Sequence, residues 1–163
     1  MKRVGYPSVE LQPTPPFTFG LPDGWSMQEI PQGWCALTPD EQPTDDFWTH
    51  CSISSVRATR LTKLSQASIA NFVGLKKQYP DAEITTQHAG RFGERPTYIR
   101  GVDFSGDGIE LSQVVGLFFA PKAVGRDIVD IFSVIGTAPR AHMPRLGPRF
   151  VEVIASFEFP SNA

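Results

Sequence analysis

The chain has 163 residues, 15 of them Lys or Arg and 17 Asp or Glu, with a formal net charge of −2 and 40% hydrophobic content. That length can bury roughly two thirds of its unfolded surface around one core without metals or disulfides. The near-balance of charge excludes the broad positive field that a phosphate backbone demands, so nucleic acid is not an expected partner.

Residues 1–16 contain Pro7, Pro13, Pro15 and Pro16 without periodicity, which predicts a loose, extended tail. Lys2 and Arg3 begin it, but no apolar run follows of the kind a secretory signal needs. No later stretch has the length of a membrane span, so a cytoplasmic protein is expected. Phe17, Phe19 and Leu21 alternate with small residues as a short edge strand does, and Pro22-Asp23-Gly24 supplies a turn. Trp25, Met27 and Ile30 predict a second strand. After Pro31-Gln32-Gly33, Trp34–Leu37 predicts a third. Pro39–Asp46 is polar and acidic, hence a surface loop.

Phe47–Ala58 reads as a long strand with Phe47, Thr49, Cys51 and Ile53 on one face and Trp48, His50, Ser52 and Ser54 on the other. From Ser65 the period changes. Ile69, Phe72, Val73 and the stem of Lys76 fall at helical spacing, Ser65 suits an N-cap and Pro80 sets a limit, which predicts a helix over 65–79. A short strand is expected over Ala82–Thr86, a turn-rich connection over Gly90–Pro96 and a strand over Thr97–Phe104. Ser105-Gly106-Asp107-Gly108 then turns the chain into two long apolar segments, Ile109–Pro121 and Asp127–Pro139. These form the central hairpin. In the second, Ile128, Val129, Ile131, Phe132, Val134 and Ile135 leave almost no polar face, so both sides should be covered. Leu146, Phe150, Val153, Ile154 and Phe157 predict a closing helix over 149–157, with Pro148 in its first turn. The expected fold class is α+β: a central antiparallel sheet flanked by helices, in one domain over 17–159, with short tails at 1–16 and 160–163.

Phe17–Trp25, FTFGLPDGW, resembles the opening strand and turn of the Mog/PsbP-like superfamily, and Val151–Phe159, VEVIASFEF, resembles its closing helix and tail. The order of elements between these ends is similar too. The resemblance implies an α/β/α sandwich. It also implies a binding or assembly role, since the superfamily includes a Ran-binding protein, photosystem subunits, bacterial lipoproteins and secretion-effector chaperones. It brings no catalytic residue set and no partner surface to this sequence.

The chemistry-bearing residues are sparse. His50 and Cys51 are strand neighbours and point to opposite faces, so they cannot act as base and nucleophile for one another. Cys35 and Cys51 are too few for a disulfide framework and read as small buried apolar residues. Three scattered histidines offer no zinc spacing. Gly101–Gly108 lacks the Lys-Ser or Lys-Thr ending of a phosphate loop and leads into a strand. Asp103, Asp107 and Glu110 read as solvated carboxylates around a turn. No catalytic, cofactor-binding or metal-binding residue is assigned. Two groups are candidates for a protein partner: Trp25, Trp34 and Trp48, because such side chains dominate binding hot spots, and Arg140, Arg145 and Arg149, which with His142 gather positive charge around the last helix. For both groups the plainer reading is packing or solvation. The expected function is a non-enzymatic protein-binding, assembly or chaperone-like module, with homodimer formation through sheet edges as a further expectation. The alternative is a small-ligand carrier or small hydrolase-like enzyme, which requires His50, Tyr98 and Arg100 to converge in a pocket between sheet and helix.

Overall fold

A computed structural model describes residues 1–161. The segment without a polar face sits at the centre. Strand β7 (Ile128–Pro139) is the fourth of seven, between β3 (His50–Thr59) and β6 (Ile109–Phe119), in the order β1-β2-β3-β7-β6-β5-β4. The remaining strands are β1 (Trp25–Glu29), β2 (Cys35–Pro39), β4 (Glu83–Phe92) and β5 (Arg95–Gly106). Every neighbouring pair is antiparallel. Helix α1 (Leu64–Gln78) links β3 to β4, and α2 (Met143–Ala155) follows β7 through a 3₁₀ turn at Arg140–His142. The fold is α+β.

Helix α2 is placed by shape as much as by apolarity. Leu146, Phe150, Val153 and Ile154 form its buried stripe. Phe150 presses onto Gly136 of β7, where a Cβ would stand 2.1 Å from its ring, and Ile154 presses onto Gly116 of β6, where a Cβ would stand 2.7 Å from Ile154 Cδ1. The two glycines leave the room these helix side chains occupy, and Phe118, Phe132, Val134 and Phe157 complete the main core around them. Arg95 of β5 reaches the helix end and donates to the Ile154 carbonyl at 2.7 Å, replacing a bond the last turn cannot make for itself, and to the Phe157 carbonyl just beyond it.

Helix α1 lies on the opposite face, because side chains alternate along β7: Gly136 meets α2, while Ile135 is in register with Val115 and, through it, with Arg100 of β5. Arg100 is 1% exposed. It donates to the carbonyl and, at 3.0 Å, the hydroxyl of Ser68 and to Asn71 Oδ1, fastening α1 to the sheet. Phe72, Leu75 and Tyr79 continue from Ser68 along the inner face and pack on Ala82, Val102, Phe104 and Leu111.

Several expectations need correction. Phe17–Leu21 is no edge strand: Thr18 makes a lone bridge to Glu158, while Phe17 and Phe19 stack on Phe157 at 5.9 and 5.3 Å. Phe47–Thr49 precede the ladder, which β3 enters at His50. In α1 the inner stripe starts at Ser68, so Ile69 and Val73 face solvent, 63% and 46% exposed. Strand β4 runs on to Phe92, through Gly90–Phe92, which were expected to turn. Helix α2 starts at Met143, so Pro144 takes the first-turn place and Pro148 falls inside the helix; it ends at Ala155, and Phe157 turns into the core. Residues 12–14 are tied to the sheet: Arg57 donates to the Gln12 carbonyl at 2.5 Å and Thr14 to Asp130 at 3.3 Å.

Candidate binding surfaces

The two sides of the sheet are covered unequally. On the α2 side, Phe17, Phe118, Phe132, Phe157 and Phe159 form a continuous aromatic layer with centroid separations of 4.9–6.3 Å. On the other side α1 packs chiefly on β5 and β6, and the α1 face of β7 is buried at Val129, Ile131 and Thr137 but only partly covered between them. Ser52, Ser54, Ser133 and Ile135 are half-buried there, and Val56 is 59% exposed. These are small or aliphatic side chains. Trp48 stands at the β3 end, 47% exposed and stacked on His50 at 5.2 Å, and His50 Nδ1 lies 2.9 Å from the Trp48 carbonyl. The ring is thereby held as a plate beside the open strands.

A groove of about 590 Å³ opens at the N-terminal end of α1, on the same side. Leu64, Tyr98 and Phe119 are among its walls, Leu61 stands on its rim, and Arg60, Lys63 and Lys122 bring three cations without a carboxylate in the lining. Lys122 Nζ sits 4.4 Å from the Phe119 ring centre, and Arg60 donates to the Arg126 carbonyl at 3.2 Å.

His50, Tyr98 and Arg100 do not converge. Tyr98 lines the groove, His50 supports Trp48, and Arg100 is sealed under α1, where burial lowers its pKa to about 10. Cys35 and Cys51 are free, and burial raises both thiols, Cys51 most strongly. They are therefore protonated and poor nucleophiles at neutral pH. Among the described residues no cluster of three or more His, Cys, Asp or Glu could hold a metal ion.

The six sequence-derived binding residues separate into different places. Trp25, Arg145 and Arg149 meet around a cleft of about 530 Å³ on the α2 side, together with Asp40 and Glu41. Trp25 is 9% exposed there and packs edge-on against Phe150 at 5.9 Å. Arg149 pairs with Glu152 at 3.0 Å. Trp34 leans on Phe17 at 5.3 Å and donates to Ser55 Oγ at 2.8 Å. Arg140 bridges Asp103 and Glu110, each at 3.5 Å. Trp48 alone of the six borders the open strands. The groove cations were missed, although a signal exists: from Phe47 to Pro80 the chain carries Arg57, Arg60, Lys63, Lys76 and Lys77 and no acidic residue.

The sequence matches no protein-family model and no curated protein. Solved structures match the fold over most of the chain. LpqN of Mycobacterium tuberculosis, a protein involved in cell envelope biogenesis, aligns with a TM-score of 0.71 at 14% identity, covering 90% of this chain and 85% of its own. The cyanobacterial PsbP of Synechocystis aligns at 0.59 and 14% identity, covering 88% and 86%. The Ran-binding protein Mog1p of Saccharomyces cerevisiae aligns at 0.57 and 11% identity, covering 88% and 89%. At these identities the likeness establishes the Mog/PsbP-like fold.

Proposed function

With the Mog/PsbP-like fold as premise, we propose that this chain is a non-enzymatic protein-binding or assembly module that receives its partner on the open strands β3 and β7 beside Trp48. One observation carries the reading. A sheet closed by a helix and an aromatic layer on one side keeps, on the other, a half-buried row of Ser52, Ser54, Ser133 and Ile135 with an exposed tryptophan at its end. Trp buries a large area at low entropic cost, and small neighbours let a partner approach closely. The Ran-binding neighbour lends support, since in that protein the same fold serves protein recognition. Cytoplasmic residence belongs to this reading, supported by two thiols that remain unpaired. No helix among the described residues is long and apolar enough to cross a membrane.

The test is capture of a stoichiometric partner from native lysate by the tagged protein and by three folded variants. Trp48→Ala and Ser54→Arg should each weaken capture by about tenfold or more, and Arg145→Glu should leave it intact. Loss in Arg145→Glu with retention in Ser54→Arg would move the interface to the α2 cleft, and no stoichiometric partner for the unmodified protein would overturn the reading.

A further inference from the structure

The groove at the start of α1 combines two features that no purely apolar and no purely ionic ligand satisfies together. Its walls are apolar, with Leu64, Tyr98 and Phe119 on three different elements, and its volume of about 590 Å³ is that of a small-molecule site. Around them stand Arg60, Lys63 and Lys122, and none of the three takes part in an ion pair among the described residues. Helix α1 has no acidic residue in its first turn to meet the positive end of its dipole, which opens beside the same groove. In a protein of net charge −2, cations have been gathered at an apolar hollow and carboxylates kept out of it.

We propose that this groove binds a single-chain aliphatic carboxylate, a free fatty acid, with its chain against Leu64, Tyr98 and Phe119 and its head group among Arg60, Lys63 and Lys122. The cations hold their places without a ligand: the Arg60 guanidinium rests on the Arg126 carbonyl and the Lys122 ammonium over the Phe119 ring, so a carboxylate would meet them at the rim of the apolar wall. The site is distinct from the open strands beside Trp48, and it stands or falls independently of partner capture there.

Sodium laurate, kept below its micelle concentration, is the probe, followed by NMR of the full chain. Saturable one-to-one binding is expected, with the largest shifts at Leu64, Tyr98 and Phe119. Affinity should fall about five- to tenfold in Lys63→Gln/Lys122→Gln, the loss expected from two partly exposed charge contacts. Dodecyltrimethylammonium, with an equal chain and the opposite head, should bind far more weakly. Equal binding of the two detergents, laurate affinity unchanged in the double variant, shifts centred elsewhere, or binding to anionic vesicles with none to monomeric laurate would each overturn the proposal.

Discussion

Gly136 has room for a hydrogen and nothing larger, because the Phe150 ring occupies the space a Cβ would need. Gly136→Ala should cost about 3 kcal/mol in urea unfolding, as overpacking of a filled core does. Combined with Phe150→Val it should cost clearly less than the two single changes added, since the smaller side chain vacates the contested volume. Cys35 and Cys51 are both free and buried. Burial holds both thiols protonated, so neither should react with a disulfide reagent at pH 8 in the native state, while both should react after unfolding. Asp81 gives a pH signature: its carboxylate accepts the Ser105 amide at 2.9 Å and is held below its ordinary pKa chiefly by that bond. Being depressed in the fold, it contributes stability that is complete above the ordinary aspartate pKa and is lost as pH falls through the lower folded value. The Ser105 amide resonance should therefore titrate with a midpoint below that of an ordinary aspartate, and Asp81→Asn should abolish the titration.

Among the elements, α1 is fastened to the sheet by a buried polar clamp at Arg100 beside its apolar contacts. Arg100→Met keeps the bulk but leaves the Ser68 carbonyl and Asn71 without their donor, at a cost of about 2 kcal/mol. Amide exchange in α1 should accelerate about thirtyfold while α2 stays protected, because α2 is held by Gly136, Gly116 and Arg95 instead. The same contrast explains what could be read from the sequence. Strand β7 announced itself because both its faces are apolar, and α2 because Leu146, Phe150, Val153 and Ile154 repeat at helical spacing. The phase of α1 was not legible: Ser68 faces the sheet with Phe72 and Leu75 and is bonded by Arg100 beneath it, and no local pattern reveals that an arginine is buried. Strand β4 is almost wholly exposed and is recruited by its ladder with β5, so periodicity fell silent after Thr86. Phe17 and Phe19 look like alternating strand residues, but the ring of Phe157, far along the chain, decides their place.

The whole molecule has a closed side and an open one. The closed side is finished by its two ends, where Thr18 and Glu158 exchange backbone bonds at 2.9 Å over the aromatic layer. The open side carries the half-buried middle of β3 and β7, the Trp48 plate and the cationic groove. Of these, Trp48 was legible as a candidate from residue type alone, whereas the groove draws its lining from four separated stretches of chain that only the fold brings together. Oxidative footprinting of the protein together with a partner it captures separates the two sides, since both carry reactive reporters. Trp48 at 47% exposed marks the open side, while Trp34 and Met27, at 43% and 56%, mark the other. Protection of Trp48 with Trp34 and Met27 unchanged is the expected result; protection of Trp34 and Met27 with Trp48 still oxidised would place the partner on the closed side instead.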